Sequence, residues 1–273
     1  MKRRIINLAA FSALLPACIC CSVKEDRGEC PCYVTMDVCK FTDMGFSDAT
    51  VSYSSSERVL SSEELNLLDY MEEGYTRSVP RRLMRASAVS GLEHSSISSD
   101  ILSVRKGLSA DPVMAYAETF SPESDAYSLK ATPHKQYCCI SFLFRNRGPE
   151  YEYPYLFRIK ASCNGLDLYT LKPVEGEYET VVEPNSLGEY GAILPRQNGG
   201  TVLLEIFDPY EGSRTEGELL YTINLQRLLD DAGYDWTRTD LDDVSLSVDF
   251  SLADVSIEIC EWEGDDNYSD IMI

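Results

Sequence analysis

The sequence predicts an all-β protein, two tandem β-sandwiches behind a short secretory leader. Three observations carry that prediction. After residue 31, apolar residues recur at period two in short runs along nearly the whole chain, the signature of strands buried on one face. Gly, Pro, Asn and Asp punctuate the runs every few residues, and no βαβ alternation appears, which favours antiparallel sandwiches over a parallel sheet. The chain has 273 residues, and the roughly 255 that follow the leader suit two ordinary domains with proper cores.

The leader comes first. Met1-Lys2-Arg3-Arg4 is cationic, and Ile5 to Ala17 is an apolar run well short of the roughly 20 residues a membrane-spanning helix needs. Residues 1–17 therefore read as a signal peptide. They end in Leu15-Pro16-Ala17-Cys18, a bacterial lipobox with a large aliphatic residue three positions before the Cys and a small one just before it. Cys18 becomes the acylated first residue on that reading. An ordinary signal peptide cleaved after Ala17 would leave it a spare thiol. Cys20 and Cys21 compete for the lipid but follow Ile19 and Cys20, which are poor preceding residues. Cys21 is the alternative site, because Ser22-Val23-Lys24-Glu25-Asp26 resembles the acidic export signal of Bacteroidetes surface lipoproteins. Residues 18–31 form the acylated tether.

Residues 32–145 are expected to be the N-terminal sandwich. Cys32, Val34, Met36 and Val38 alternate with Tyr33, Thr35, Asp37 and Cys39, a first strand. Ser47 to Ser62 is Ser-rich and reads as a loop around Thr50-Val51-Ser52-Tyr53. Ser61 and Glu64 set up a capping box for a short helix through Leu65, Leu68 and Met71, stopped by Gly74. Tyr75 to Val79 and Leu83 to Val89 follow as strands, Glu93 to Asp100 as an exposed loop. Ile101 to Val104, Val113 to Phe120 and Tyr137 to Phe144 complete the block. Asn146-Arg147-Gly148-Pro149-Glu150 has no apolar residue, so 146–150 is the expected linker.

Residues 151–263 are expected to be the C-terminal sandwich. Tyr153, Tyr155, Phe157, Ile159 and Ala161 share one face and lead to Asn164-Gly165, a hairpin signal because both residues tolerate positive φ, with Leu166-Asp167-Leu168 as return strand. Gly176 to Val182, Thr201 to Phe207 and Gly217 to Leu225 continue the meander. Leu225, Leu228, Leu229 and Ala232 are spaced for a short helix ended by Gly233. Val244, Leu246, Val248, Phe250 and Leu252 form an amphipathic strand, repeated by Val255, Ile257 and Ile259. Residues 264–273 are an acidic tail.

Charge and motif content exclude several classes of function. With 45 Asp and Glu against 24 Lys and Arg, the net charge is −21, so no nucleic-acid partner is expected, since phosphate binding needs clustered bases. The same charge opposes docking to an anionic bilayer and leaves membrane attachment to the lipid. Nucleophilic catalysis lacks a base, because only His94 and His134 are present, and His134 would lie too far along a strand from Cys138. Cys30, Cys32, Cys138 and Cys139 do not have structural zinc spacing. Glu261, Glu263, Asp265, Asp266 and Asp270 lack the pattern of a calcium loop. No phosphate loop or dinucleotide fingerprint occurs. We therefore expect no catalytic residue, metal, cofactor or small-molecule substrate. Nine cysteines follow Cys18, and secretion permits disulfides, but adjacent Cys138 and Cys139 point to opposite faces if extended. Tyr is abundant, with 17 in the chain, and Trp236 and Trp262 are candidate platforms if the protein instead captures a glycan or a host protein.

A family resemblance begins at Glu25-Asp26-Arg27-Gly28-Glu29-Cys30-Pro31, a few residues after the lipobox and leading into the Tyr33 to Val38 strand. It continues through Val113 to Ala117, Tyr155 to Ile159 with Asn164 to Leu168, and Val255 to Trp262. In this order the segments resemble the FimB-type fimbrial anchoring subunits of Bacteroidales. The resemblance implies transthyretin-like sandwiches and a non-enzymatic outer-membrane lipoprotein that anchors a fimbria, limits its length and partners shaft pilin subunits through exchanged strands. The extra cysteines Cys20, Cys21, Cys39, Cys138, Cys139 and Cys163 depart from the family pattern. The lipobox generates a direct prediction: mass spectrometry of the N-terminal peptide finds diacylglycerol and an N-acyl chain on Cys18, and Cys18→Ala releases the protein from the cell. An unmodified N-terminus would remove the membrane anchor from this account.

Overall fold

The computed structural model describes residues 30–56, 58–145, 155–184, 189–213, 215–251 and 254–262. The leader, nearly all of the tether, the linker 146–150 and the tail lie outside the described residues.

Period-two patterning places the first strand as expected. In β1 (Pro31–Asp37) the side chains of Cys32, Val34 and Met36 are fully buried while Pro31 and Tyr33 face out. After it come α1 (Cys39–Asp43), β2 (Asp48–Ser55), β3 (Val59–Asn66), β4 (Tyr75–Pro80), β5 (Met84–Ser90), β6 (Ser96–Ser98), β7 (Ile101–Ser103), β8 (Met114–Phe120), β9 (Ala126–Lys130) and β10 (His134–Lys135). One sheet has the order β4-β1-β9, the facing one β10-β8-β5-β2-β3. Val34 and Met36 pack between them against Val51, Tyr53, Met84 and Ala86.

The second sandwich is built from β11 (Tyr137–Arg145), β12 (Leu156–Asp167), β13 (Pro173–Pro184), β14 (Tyr190–Pro195), β15 (Val202–Pro209), β16 (Gly217–Asn224), α2 (Leu225–Asp231), β17 (Val244–Ser251) and β18 (Asp254–Trp262). Its strands follow one path, β16-β15-β12-β13-β14-β11-β17-β18. The path folds over at β13, which pairs along β12 and then, at Glu183 and Pro184, meets Gly191 and Tyr190 of β14. Phe157, Ile159, Leu204 and Ile206 on one side pack against Ile140, Leu194, Leu246 and Val248 on the other. The expected all-β pair of sandwiches is what the chain forms. Helix α2 also lies where its spacing placed it, with Leu225, Leu228 and Leu229 buried and Gly233 at φ 77° behind it.

The two sandwiches share one connectivity. β1 pairs antiparallel with β4 and parallel with β9, and β11 does the same with β14 and β17. β2 lies between β3 and β5 with β8 beyond, and β12 lies between β13 and β15 with β16 beyond. A seven-strand unit thus occurs twice. The hairpin β6–β7 is inserted into the first copy, and β10 and β18 are additions.

That repeat corrects the expected boundary. β11 was assigned by sequence to the first block, but its backbone pairs with β14 and β17, so it opens the second sandwich. Punctuation at 146–150 misled because Gly and Pro mark a turn within a sandwich as readily as a linker between two. The hairpin β6–β7 crosses the other way, pairing Leu102 with Leu166 of β12. Val89, Val113 and Ala115 of the first sandwich meet Leu102, Leu166 and Leu168 in a small core between the two.

Three further expectations fail for physical reasons. Ser61 to Leu65 belong to β3 instead of a capped helix, because they pair residue by residue with β2. A single 3-10 turn, Leu67–Tyr70, follows, with the Leu68 N–H donating to the Asn66 side chain at 3.1 Å. Leu68 is 63% exposed, so the apolar spacing there marks no helical core face. The Ser-rich stretch is mostly strand, since Ser52, Ser54 and Ser55 are buried side chains of β2. Asn164-Gly165 is not a hairpin turn. Both lie within β12, where the pairing with β13 shifts register, and the turn comes after Asp167, whose carboxylate accepts from Tyr169 and Thr170 N–H. Gly165 is required by close approach, because a Cβ there would stand 2.9 Å from the Leu102 carbonyl oxygen.

This interlock predicts the outcome of a cut. A protease site inserted within 146–150 and cleaved should leave both pieces in one folded particle that separates only in denaturant. β11 stays between β14 and β17, where burying Ile140 and Phe142 contributes about 3–6 kcal/mol. Two fragments that elute independently from size exclusion would contradict the interlock.

Candidate functional site

Among the described residues, chemistry-bearing side chains are not brought together as a reaction centre. His134 lies 3.2 Å from the Asp240 carboxylate, and His94 is on the surface beside Glu93. Cys30, Cys32, Cys39, Cys138, Cys139 and Cys163 are free thiols. Cys138 and Cys139 do face opposite ways, one fully buried and one half-buried. Burial pushes the Cys138 thiol up to about 12 and that of Cys139 up to about 11, so neither is a nucleophile at neutral pH. Among the described residues no three metal-ligating side chains cluster. Trp236 is 5% exposed, stacks edge-on with Tyr234 and donates its indole N–H to Gln226. It is a core residue, not a platform for a sugar. Cys18 and Cys21 lie outside the described residues.

What the fold does present is a set of strand edges, and one buried cation fixes the most distinctive of them. Arg196 follows β14 and is 6% exposed. Its guanidinium donates to the Gln136 side-chain oxygen at 2.9 Å and to the carbonyls of Trp236, Arg238 and Thr239 at 2.6, 2.7 and 2.9 Å. A longer bond of 3.4 Å reaches the Lys135 carbonyl. Gln136 immediately precedes β11, and residues 236–239 lead into β17. One side chain therefore ties together the approaches to three adjacent strands. Asp240 and Asp243 reinforce the join by accepting from the N–H of Lys135 and Cys139, both at 2.7 Å. No sequence signal marked Arg196, because an isolated Arg in Leu-Pro-Arg-Gln has no spacing that reveals burial.

The clamp sets the register of β17, which pairs on both sides, parallel with β11 and antiparallel with β18. β17 thus has no free edge, and the outer edge of this sheet belongs to β18. Ile257 is fully buried and Ile259 packs against the same core, so β18 is held by its inner face as well as by its ladder. The other end of the path is β16. Both end strands carry a register shift, β16 against β15 between Ile206 and Phe207 and β18 against β17 between Ser245 and Leu246. On β16, Leu219, Leu220 and Tyr221 are 50%, 40% and 43% exposed. β3 and β4, edges of the first sandwich, carry the charges of Glu63, Glu64 and Arg77, with Arg77 paired to Glu63 at 2.8 Å. Of the long edges, β18 stands out as the strand added beyond the seven-strand unit.

No protein-family model and no curated protein sequence matches the chain. Solved structures do match its fold. A candidate adhesin from Bacteroides ovatus is 13% identical, with 90% of this chain and 98% of that one covered at a TM-score of 0.58. The fimbrial anchor protein Mfa2 from Porphyromonas gingivalis is 9% identical over 86% and 97% of the two chains, TM-score 0.55. A candidate polysaccharide-binding protein from Bacteroides thetaiotaomicron is 10% identical over 84% and 96%, TM-score 0.54. At these identities the likeness is one of fold, extending over nearly the whole of each known structure.

Proposed function

We propose that the protein is a non-enzymatic lipoprotein that holds a fimbria at the outer membrane, acylated on Cys18 and joined to a shaft pilin by an added β-strand at β18. The observation that carries the strand contact is the place of β18 in the repeat. The seven-strand unit ends at β9 in the first sandwich and at β17 in the second, and among the described residues a further antiparallel strand lies on that edge at β17 and not at β9. An edge that accepts one strand leaves backbone groups on the new strand's outer side, here along Asp254 to Ile259 before the register shift, where backbone hydrogen bonds supply affinity and alternate side chains supply register. The fold of the Mfa2 anchor and the lipobox support the same reading from opposite ends of the molecule.

Attachment through lipid agrees with the charge. Each buried CH2 contributes about 0.8 kcal/mol and two chains already give stable anchoring, so a surface of net charge −21 needs no electrostatic help from the bilayer. A protein fixed in this way at one end offers a single docking edge outward, which starts a fibre and leaves its base unable to extend. From Thr239 to Ile273 the sequence has eleven acidic residues and no Lys or Arg, so the complementary pilin strand carries basic residues beside its apolar ones.

Cysteines placed singly at Val255, Ser256, Ile257, Glu258 and Ile259, with one on the pilin's exchanged strand, test the contact in intact cells. Covalent trapping at alternate positions is expected. Trapping nowhere along β18 with fimbriae still attached would overturn the contact, and attached fimbriae in a strain without this protein would overturn the anchoring.

A further inference from the structure

A cleft lies at the first sandwich's contact with the β6–β7 hairpin, away from β18. The turn joining β2 and β3 faces the turn joining β6 and β7 across a cleft of about 590 Å³, inside the roughly 300–1,000 Å³ range of small-ligand sites, which favour such junctions. Arg58 stands on the first turn. The Ser55 N–H donates to the Arg58 carbonyl at 2.9 Å, and the Arg58 N–H returns to the Ser55 hydroxyl at 3.4 Å, so the turn is closed from both sides. Arg85 comes from β5, paired with Ser54 on β2, and is half-buried. Both arginines line the cleft.

Acids outnumber bases nearly two to one, 45 against 24, and surface bases such as Arg77, Lys106, Lys160 and Arg227 are each paired with a carboxylate. Among the described residues, neither Arg58 nor Arg85 has an ion-pair partner. The facing wall contributes one carboxylate, Asp100, beside Ser99. Next to the cleft, Tyr169 is 5% exposed, beside the Ser54 side chain, and feels both Asp100 and Arg85 electrostatically.

The rest of the lining is hydroxyl. Ser54, Ser55, Ser56, Ser62 and Ser99 contribute five serines, with Val59 and Ile97 as the apolar members and no aromatic ring. A nucleotide base finds no stacking face there. Two guanidinium groups suit a carboxylate or sulfate, which they grip with paired N–H donors, and a carboxylate with several hydroxyls suits a ring bearing hydroxyl groups. We propose that this cleft binds an anionic sugar unit, a uronate or a sulfated monosaccharide, with Arg58 and Arg85 on the oxyanion and Asp100 with the serines on the sugar hydroxyls. The site stands on the cleft alone and is independent of strand docking at β18.

Calorimetric titration of the full chain in detergent micelles with glucuronate, glucose 6-sulfate, inorganic sulfate and glucose tests it. One or both acidic sugars should bind, sulfate more weakly and glucose not at all. Arg58→Ala and Arg85→Gln should each lower the affinity about tenfold, equivalent to about 1.4 kcal/mol. Arg58 sits on an exposed turn, so its substitution reports on binding even if Arg85→Gln disturbs folding. Sulfate binding as tightly as either sugar would overturn the saccharide assignment, and glucose binding equally would overturn the role of the arginines. Absence of binding by both acidic sugars, or binding unchanged in Arg58→Ala, would overturn the site.

Discussion

The second sandwich depends on a buried positive charge satisfied by carbonyl oxygens. Removing a guanidinium from water is costly unless its donors are met, and Arg196 meets the cost with five hydrogen bonds to Lys135, Gln136, Trp236, Arg238 and Thr239. Those partners come from the two segments that must arrive beside β14 for β11 and β17 to pair correctly. A parallel pair such as β11–β17 cannot be registered by a tight hairpin, because its strands are joined through a long connection. The clamp supplies the registration that no turn could. Gln136 also donates its N–H to the Val113 carbonyl at 3.0 Å, so the same point fastens the second sandwich to the first.

From that fixed point the functional geometry follows outward. With β11 and β17 in register, β18 is the next strand and the sheet's last. The twofold use of one connectivity makes the additions informative: β10 and β18 each extend an edge that the other copy leaves bare. Insertion of β6–β7 into the first copy has a different effect. It extends the second copy's sheet through β12 and makes the two sandwiches a single unit, while its turn forms one wall of the cleft that holds Arg58 and Arg85.

Much of this was legible in the sequence where burial is one-sided. β1, β12 and β17 announced themselves by apolar alternation, β4, β5 and β15 as short runs between turn residues, and α2 by its spacing and terminal glycine. β2 and β3 did not, because the buried residues of β2 include Ser52, Ser54 and Ser55, a composition that reads as loop. Gly165 was mistaken for a turn residue because close approach of β7 and positive φ both select glycine. The boundary was displaced by one strand, since β11 has the same alternation whichever core it enters, and only its partners decide. Of the site, the amphipathic character of the last two strands was visible. That β17 is enclosed and β18 is the edge was not, because pairing order across a parallel neighbour leaves no local trace.

Hydrogen exchange of the full chain, free and seated on isolated fimbriae, tests the central claim that β18 is the docking edge. The account predicts new protection at alternate amides of β18, those directed away from β17, with β16 and the first sandwich unchanged. Protection gained at β16, β3 or β4 while β18 stays as open as in the free protein would contradict it.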